Sequence, residues 1–372
     1  MTSLGSAPTG RATNRPIGVG VVGLSAAGGW GAGAHLPAMV AADGFELRGL
    51  VGSTDESARA ASRRYGAPSY ASVEQLAASD DVDLVVITVK TPSHRDLVRS
   101  TTAARKPVFC EWPFAVDHSD AVELAASAAG VATFVGLQGR SSPHFRWLRD
   151  LVAAGYVGEL LSVTVSSTVT EWGGPVSEGS LYTLDRDQGG SMLGIGFGHA
   201  IDPVLMVVGE LVDVVATTAT RHPRVPLGGT GRLVPMTSVD QIAVSGTLPG
   251  GAVLSAHQRG GTASGPGFWL RIDGSRGTLE ATARNHPHIA PVTVRGALGG
   301  HPLTELTLPA AYDEFPRLAG SHLHTLAHAY ARIGHQLRGG ATEIPDFAHA
   351  VTRHRLLDAI TESAATGRRI FL

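Results

Sequence analysis

The first third of the chain alternates short apolar runs with segments of helical periodicity. Strands that alternate with helices of about 10–15 residues predict an α/β fold with a parallel, doubly wound sheet covered on both faces. The predicted strands are Ile17–Val22, Phe45–Val51, Val82–Thr88, Pro107–Cys110 and Thr133–Leu137. The predicted helices are Gly33–Ala42, Glu56–Tyr65, Val73–Ala78, His94–Ala104 and Ser119–Ala129.

The pattern changes after about residue 140. A helix over Pro143–Ala154 precedes a long alternating strand over Gly158–Glu171, and short alternating runs separated by glycine turns follow. Two helices, His322–Leu337 and Phe347–Ala365, close the chain. This order predicts an α+β domain with a large, mostly antiparallel, open sheet. We therefore divide the chain into a disordered tail (1–15), a dinucleotide-binding Rossmann domain (16–140) and a substrate and dimerisation domain (141–372).

Composition narrows the class of protein. The 372 residues are 43% hydrophobic and 17% charged, with a net charge of −2, so no basic field favours nucleic acid or anionic membrane. No apolar run is long enough for a membrane helix. Cys110 is the single cysteine, which excludes an intramolecular disulfide and suits a reducing cytoplasm.

The first strand contains a literal G-x-G-x-x-G match at Gly18–Gly23. In the dinucleotide fingerprint the first glycine ends the strand, where the chain turns into a helix, but Gly18 and Gly20 lie inside the apolar run. We therefore start the turn at Gly23, followed by Leu24, with Ser25 in the place of the second glycine. The lengthened loop reaches Trp30, and its amides can bind phosphate at a helix N-terminus; the alternative is a structural loop without a ligand.

The end of the second predicted strand bears on the choice of cofactor. A carboxylate there would bind the ribose 2′-hydroxyl of NAD and repel the 2′-phosphate of NADP. The tip carries the hydroxyls of Ser53 and Thr54 instead, and arginines follow on the next helix. This favours NADP, with NAD as the alternative, because a one-residue shift of alignment would bring in Asp55.

Several motifs together resemble the glucose–fructose oxidoreductase / inositol dehydrogenase / MocA family. They are His35-Leu36-Pro37-Ala38, Thr91-Pro92-Ser93-His94, Glu111-Trp112-Pro113, Gly189-Gly190, His199-Ala200-Ile201-Asp202 and Gly274-Ser275-Arg276-Gly277-Thr278. The resemblance implies a Rossmann domain, a C-terminal domain whose open sheet often mediates dimerisation, and NAD(P)-dependent chemistry on sugars or related alcohols. It also implies cofactor contacts from Thr88, Thr91, His94, Glu111 and Trp112.

Within this family the chain resembles most the branch of the yeast galactose-pathway repressor, a dinucleotide-binding regulator. The shared features are the lengthened loop with Trp30, the Glu111-Trp112 pair and the segment from Leu137 to Pro143. Enzymes of the family carry lysine where this chain has Trp112. Their catalytic aspartate, four residues before the histidine, falls on Ile195.

The remaining candidates for proton transfer are few. His199 is either a general acid or a residue that orients a ligand. Tyr182, or bound water, is the reserve donor, and Trp112 is either a packing residue or an aromatic wall of the site. Asp202 is expected to pair with His199 or with a backbone amide. Arg140 is either solvated or meets an anionic ligand.

No metal site is expected. His324 and His328 share a face of a predicted helix, but no glutamate completes an H-E-x-x-H motif.

These features favour a cytoplasmic NAD(P)-dependent oxidoreductase that acts on a small carbohydrate-like or cyclic carbonyl or alcohol substrate. It would form a homodimer or homotetramer through the C-terminal sheet. The alternative is a catalytically inactive dinucleotide-binding regulator that binds a protein partner. A transient use of bound nicotinamide by a lyase or isomerase is a weaker third possibility.

Overall fold

A computed structural model describes residues 15–262, 264, 267–341 and 343–372. The predicted tail lies outside these residues except for Arg15, whose guanidinium pairs with Asp83 at 2.6 Å. No helix of the described residues is long and apolar enough to cross a membrane.

The N-terminal domain is a five-stranded parallel sheet in the order β2-β1-β3-β4-β5. Every residue of β1 is buried, as expected for a central strand covered on both faces. The strands are β1 (Ile17–Val22), β2 (Phe45–Val51), β3 (Leu84–Ile87), β4 (Val108–Cys110) and β5 (Thr133–Val135). The helices are α1 (Leu36–Ala42), α2 (Asp55–Tyr65), α3 (Val73–Ala78), α4 (His94–Ala103) and α5 (His118–Ser127). The predicted Rossmann architecture is confirmed.

The C-terminal domain is built on a nine-stranded sheet in the order β15-β14-β13-β12-β6-β11-β10-β7-β16. Its pairs are antiparallel except β6 with β11, which confirms the predicted mostly antiparallel sheet. The long strands are β6 (Leu160–Thr168), β7 (Asp213–Ala219), β10 (Gln241–Thr247), β11 (Val253–Arg259), β12 (Phe268–Gly274), β13 (Gly277–Ala283) and β14 (Val292–Leu298). The short strands are β8 (Arg224–Pro226), β9 (Leu233–Pro235), β15 (Thr304–Glu305) and β16 (Ile370–Phe371). The helices are α6 (Pro143–Ala153), α7 (Gly198–Val208), α8 (His324–Leu337) and α9 (Phe347–Thr366).

The last two helices return to the N-terminal domain. Leu326, Tyr330 and Ile333 of α8 are buried in the same apolar cluster as Val19 and Val21 of β1. Helix α9 packs against both α5 and β7. The division after residue 140 therefore separates the two sheets, but α8 completes one face of the Rossmann domain.

A buried ion-pair network fixes α7 to α9. Asp202 of α7 is fully buried and accepts hydrogen bonds from Arg140 Nε at 3.0 Å, Arg353 Nε at 3.0 Å and His349 Nε2 at 2.7 Å. Burial alone would raise the pKa of the Asp202 carboxyl, but the two guanidinium groups lower it below its ordinary value. The expected pairing of Asp202 with His199 is wrong, because these cations occupy both carboxylate oxygens. Arg140 is likewise held in ion pairs, with Asp202 and with Glu210 at 3.2 Å.

Candidate functional site

The turn that follows β1 begins at Gly23, as predicted. Gly23 has a φ of +94°, which favours glycine, and an added Cβ would lie 2.7 Å from Val89 Cγ1. Gly18 and Gly20 lie inside β1, as the sequence indicated. Leu24 is fully buried in the core, so only its backbone is available to a cofactor.

The loop from Ser25 to Trp30 is shaped by side chains from within and from α2. Ser25 Oγ accepts from Ala27 N at 3.1 Å, and the Ser25 carbonyl accepts from Tyr65 OH at 3.0 Å. Arg64 donates to the Ala26 carbonyl at 2.7 Å. These contacts hold the loop at the carboxyl end of the parallel sheet, where open α/β sheets bind their ligands.

The loop from Gly23 to Trp30 and the helical turn that follows it fit a dinucleotide phosphate. A helical turn begins at Gly31, continues into α1, and has no side-chain cap at Trp30. Gly33 N donates to Gly29 O at 2.8 Å, so the amides of Gly31 and Ala32 are the ones available to an anion. An added Cβ at Gly28 or Gly29 would meet nothing within 4 Å, which leaves space beside the loop. Trp30 is 36% exposed and its ring lies 6.1 Å from that of His322.

The end of β2 carries no carboxylate. Ser53 is exposed, and Thr54 is the N-cap of α2, its side chain accepting from Ser57 N at 3.1 Å. Asp55 is the first residue of α2, beyond this tip. The secondary structure therefore agrees with the placement of Ser53 and Thr54, instead of Asp55, at the tip of β2.

Glu111 follows β4 and is held by a buried histidine. His35 Nε2 lies 3.0 Å from Glu111 Oε1, and His35 Nδ1 lies 2.7 Å from Tyr330 OH. A neutral His35 that carries its proton on Nε2 satisfies both contacts, donating to the carboxylate and accepting from the phenol. Helix α8 thereby reaches the cofactor edge of the sheet through Tyr330.

The segment after β3 carries three of the residues for which the family resemblance implies cofactor contacts. Thr88 Oγ1 donates to Val22 O at 2.9 Å, next to the Gly23 turn, and Thr91 is buried beside Gly189. His94 is buried, and its ring nitrogens lie 3.0 Å from Val89 O and 3.1 Å from Phe114 O. The ring of His94 therefore ties two loops together instead of facing the cleft, so it positions the site.

Trp112 packs at the seam between the domains. It is 5% exposed, its Nε1 donates to Gly194 O at 2.8 Å, and its ring lies 4.7 Å from that of His354. The indole thus fills the position of the family lysine with apolar contacts and one hydrogen bond. Of the two readings of Trp112, this geometry supports the packing residue.

The turn before α7 is π-helical, which alters the spacing to His199. Across Met192–Phe197 the chain makes bonds five residues apart, as from Gly198 N to Leu193 O. The residue that lies one helical turn before His199 is therefore Gly194 instead of Ile195. Neither residue carries a carboxylate, so the absence of the family aspartate holds in either register.

His199 belongs to a cluster of buried histidines. Its ring stacks on that of His288 at 3.9 Å, and His286 lies 5.4 Å from His288. The Nδ1 atom of each ring has no hydrogen-bond partner among the described residues.

Burial keeps this cluster uncharged. It lowers the pKa of His199 to about 3, with a further contribution from His286, and the pKa of His286 to about 4. Burial also lowers the pKa of His288 well below its ordinary value. At neutral pH His199 is therefore a neutral hydrogen-bonding group, not the imidazolium acid that its ordinary pKa suggested.

Tyr182 and Lys90 lie beside each other, on the segment before Gly189 and on the loop after β3. Lys90 Nζ lies 5.4 Å from the centre of the Tyr182 ring, and an added Cβ at Gly190 would come within 2.4 Å of that ring. Trp172 Nε1 anchors the segment by donating to Thr183 O at 3.0 Å. Burial raises the pKa of Tyr182, so its hydroxyl stays protonated at neutral pH.

Sequence reasoning did not single out Lys90, His286 or His288, and it quoted His35 only within the His35-Leu36-Pro37-Ala38 motif, without a role. The histidine pair in the segment Asn285-His286-Pro287-His288 was a usable signal, because two imidazoles separated by one residue are rare by chance in a loop. Lys90 and His35 gave no such signal, since their partners Tyr182 and Glu111 are distant in sequence.

Fold and site together define a two-domain dinucleotide-binding protein. Residues 17–137 match the model of the oxidoreductase family with an NAD-binding Rossmann fold, and residues 143–283 match the C-terminal domain of Gal80p. The N-terminal domain thus matches the glucose–fructose oxidoreductase / inositol dehydrogenase / MocA family and the following domain matches that of Gal80p, with Gal80-type regulators among the relatives of the chain.

Relatives include both a regulator and enzymes. The galactose/lactose metabolism regulatory protein GAL80 of Saccharomyces cerevisiae is 29% identical over 66% of this chain and 61% of its own length. The dehydrogenase aclE of Aspergillus oryzae is 31% identical over 48% of this chain and 50% of its own. The matched part thus spans less than two thirds of either relative.

The solved structures compared are only 22% identical to this chain, so their similarity shows a shared fold and nothing more. A super-repressor mutant of yeast Gal80p superposes with a TM-score of 0.87 at 22% identity, over 96% of this chain and 97% of that one. Levoglucosan dehydrogenase in complex with NADH and L-sorbose superposes with a TM-score of 0.81 at 22% identity, over 95% and 98%.

The buried histidines predict a loss of stability in acid. The unfolded chain binds protons at histidine below a pH of about 6.5, whereas burial lowers the pKa of native His199 and His354 to about 3 and of His286 to about 4. Because the unfolded state then binds more protons, stability falls as pH drops from about 6.5 towards 4, by up to ~1.4 kcal/mol per pH unit for each group.

Urea denaturation at a series of pH values measures this slope. His354→Gln removes one such group and should make the slope shallower by up to one proton. A wild-type stability that stays constant as the pH falls from about 6.5 to about 4 would contradict the assignment.

Proposed function

We propose that the protein is an NAD(P)-dependent oxidoreductase acting on a polyhydroxylated, carbohydrate-like or cyclic alcohol or carbonyl compound. The observation that carries the proposal is the cluster of His199, His286 and His288, whose Nδ1 atoms are buried and unpaired among the described residues. A buried polar group without a partner costs about 1–3 kcal/mol. A ligand with several hydroxyls would satisfy these atoms, and neutral imidazoles both donate to and accept from hydroxyl groups.

The cofactor would lie along the carboxyl ends of β1, β2 and β4. The loop from Gly23 to Trp30 would hold the pyrophosphate, and Glu111, oriented by His35, would face the nicotinamide end. A bound nicotinamide supplies the hydride transfer, and the protein supplies orientation and proton handling.

Tyr182 is the best-supported proton donor. Its hydroxyl is protonated at neutral pH, and Lys90 is the cation beside its ring. His199, uncharged and stacked on His288, would orient a substrate hydroxyl by hydrogen bonding. In this proposal the proton-transfer role belongs to Tyr182 instead of the family lysine position, which Trp112 fills.

NADP is the proposed cofactor, in preference to NAD. The support is the pair of hydroxyls at Ser53 and Thr54 and the guanidinium of Arg64, which is placed over the nucleotide loop by its bond to Ala26 O. An anionic 2′-phosphate would meet these donors without a facing carboxylate.

Ser53→Asp tests the cofactor preference. The new carboxylate should weaken NADP(H) binding at least about tenfold, equivalent to ~1.4 kcal/mol, because it repels the 2′-phosphate, and should favour NAD(H). Isothermal titration of both cofactors measures the change. Asp55→Asn is the matched control and should leave both affinities unchanged. Preferential loss of NAD(H) affinity in that variant would instead assign ribose binding to Asp55.

Tyr182→Phe tests the proton donor. Sugars, polyols and cyclic ketones are screened with both cofactors by nicotinamide absorbance, and kcat of the variant should fall about 10²- to 10⁴-fold on any active substrate. Tyr70→Phe, whose hydroxyl contacts Ser79 away from the cleft, is the control. An unchanged kcat in Tyr182→Phe would eliminate it as the donor.

The second candidate function is a dinucleotide-binding regulator without turnover. It is favoured by the packing of Trp112 against Gly194 and His354, which leaves no ionisable group at the lysine position. It is also favoured by the relation to GAL80. Tight cofactor binding with no turnover on any screened substrate would contradict the enzyme proposal and support this one.

We also propose that the open face of the C-terminal sheet joins two copies of the chain. Along β11, Val253, Ser255 and His257 are exposed while the residues between them are buried, so no described residue covers this face of the sheet at β11. Ser255→Arg, at the middle of this face, should convert a dimer to a monomer in sedimentation because it places a charge in the contact. Ala126→Arg, on the exposed side of α5, is the control. A wild-type monomer at micromolar concentration would contradict the proposal.

A further inference from the structure

Asp313, His324 and His328 converge on one point at the start of α8. His324 and His328 lie one turn apart on α8, and Asp313 follows a helical turn over Ala310–Tyr312. Asp313 Oδ1 lies 2.8 Å from His324 Nε2 and 3.1 Å from His328 Nε2. The helix motif could not reveal this group, because its carboxylate comes from a different segment.

The donor set is that of a transition-metal site. Two imidazole nitrogens and one carboxylate oxygen are zinc ligands, and here the three ligand atoms lie within 4.8 Å of one another. A tetrahedral Zn²⁺ with bonds of about 2.0–2.1 Å separates its ligand atoms by about 3.3 Å. Movements of a few tenths of an ångström would therefore bring Asp313 and either histidine to this spacing.

The positions of the protons on the two histidines also favour a bound cation. If both contacts to Asp313 are hydrogen bonds, each histidine carries its proton on Nε2, and Oδ1 also accepts from Phe315 N at 3.0 Å. The Nδ1 atom of His328 is then a buried lone pair without a hydrogen-bond partner among the described residues, and it lies 3.9 Å from the Glu314 carboxylate. Two electron-rich atoms thus face each other.

A metal ion reverses this arrangement. With the cation on Nε2, the proton of His328 moves to Nδ1, where the Glu314 carboxylate becomes its acceptor. Metal-bound histidines usually have such a carboxylate or carbonyl partner.

We propose that Asp313, His324 and His328 bind one divalent transition-metal ion, of which Zn²⁺ is the best match, with Glu314 accepting the Nδ1 proton of His328. His324 also lines a cavity of about 210 Å³, so a water molecule can complete the coordination. The ion fastens the segment around Asp313 to α8, whose Tyr330 holds His35 and through it Glu111. Its role is structural, and the proposal is independent of whether the protein turns over a substrate.

Calorimetric titration of the tag-free, full-length protein tests the proposal. After treatment with a chelator, the wild type should bind one equivalent of Zn²⁺, and Co²⁺ should give the absorption bands of a four-coordinate ion. Saturating Zn²⁺ should also raise the midpoint of thermal unfolding. No saturable binding of either ion at micromolar concentration would overturn the site.

Two variants and a control assign the binding to this cluster. His324→Gln should weaken Zn²⁺ binding at least about 100-fold, and Glu314→Gln about 10- to 100-fold, since such outer partners are worth that much. Glu314 is 59% exposed, so its variant tests the site even if His324→Gln does not fold. His335→Gln, an exposed position on α8, is the control. Wild-type affinity in either test variant, or an equal loss in the control, would overturn the proposal.

Discussion

The carboxylate of Asp202 is the constraint on which the arrangement of the two domains depends. It is fully buried and ionised, so it must be neutralised within the fold. Arg140 arrives from the segment that joins the sheets, and Arg353 and His349 arrive from α9. Removal of one partner from a buried pair of this kind costs about 3–5 kcal/mol, because the remaining charge is left in the interior. The position of α7 is thereby fixed relative to both the domain junction and α9.

The candidate site inherits its geometry from this arrangement. Helix α7 carries His199, and α9 carries His354, whose ring packs on Trp112. Trp112 in turn donates to Gly194, one π-helical turn before His199. The indole therefore connects the N-terminal sheet to the helix that presents the histidine cluster. In this chain the residue at the family lysine position packs between the two domains. The large ring fills the space there, so the replacement of a charged residue leaves no cavity.

Local patterns were sufficient for much of the fold. The bounds of β1, β2 and α3 agree with the sequence prediction, and the placement of Gly18 and Gly20 inside β1 followed from the apolar run around them. The packing of α8 on the Rossmann core and the contacts of Asp202 with His349 and Arg353 join residues more than a hundred positions apart, and periodicity carries no information about such contacts.

The protonation state of the site residues was harder to predict from the sequence, for an electrostatic reason. His199 was expected to titrate near neutrality because that is the ordinary behaviour of histidine, but stacking on His288 and complete burial remove the solvent that stabilises its charged form. The same residue type thus changes from an acid to a neutral hydrogen-bonding group through its neighbours alone. A cleft that keeps three imidazoles uncharged is suited to orienting hydroxyl groups, whereas proton transfer requires a different residue. Tyr182 is the candidate for it, because it retains its proton and its ring lies beside Lys90.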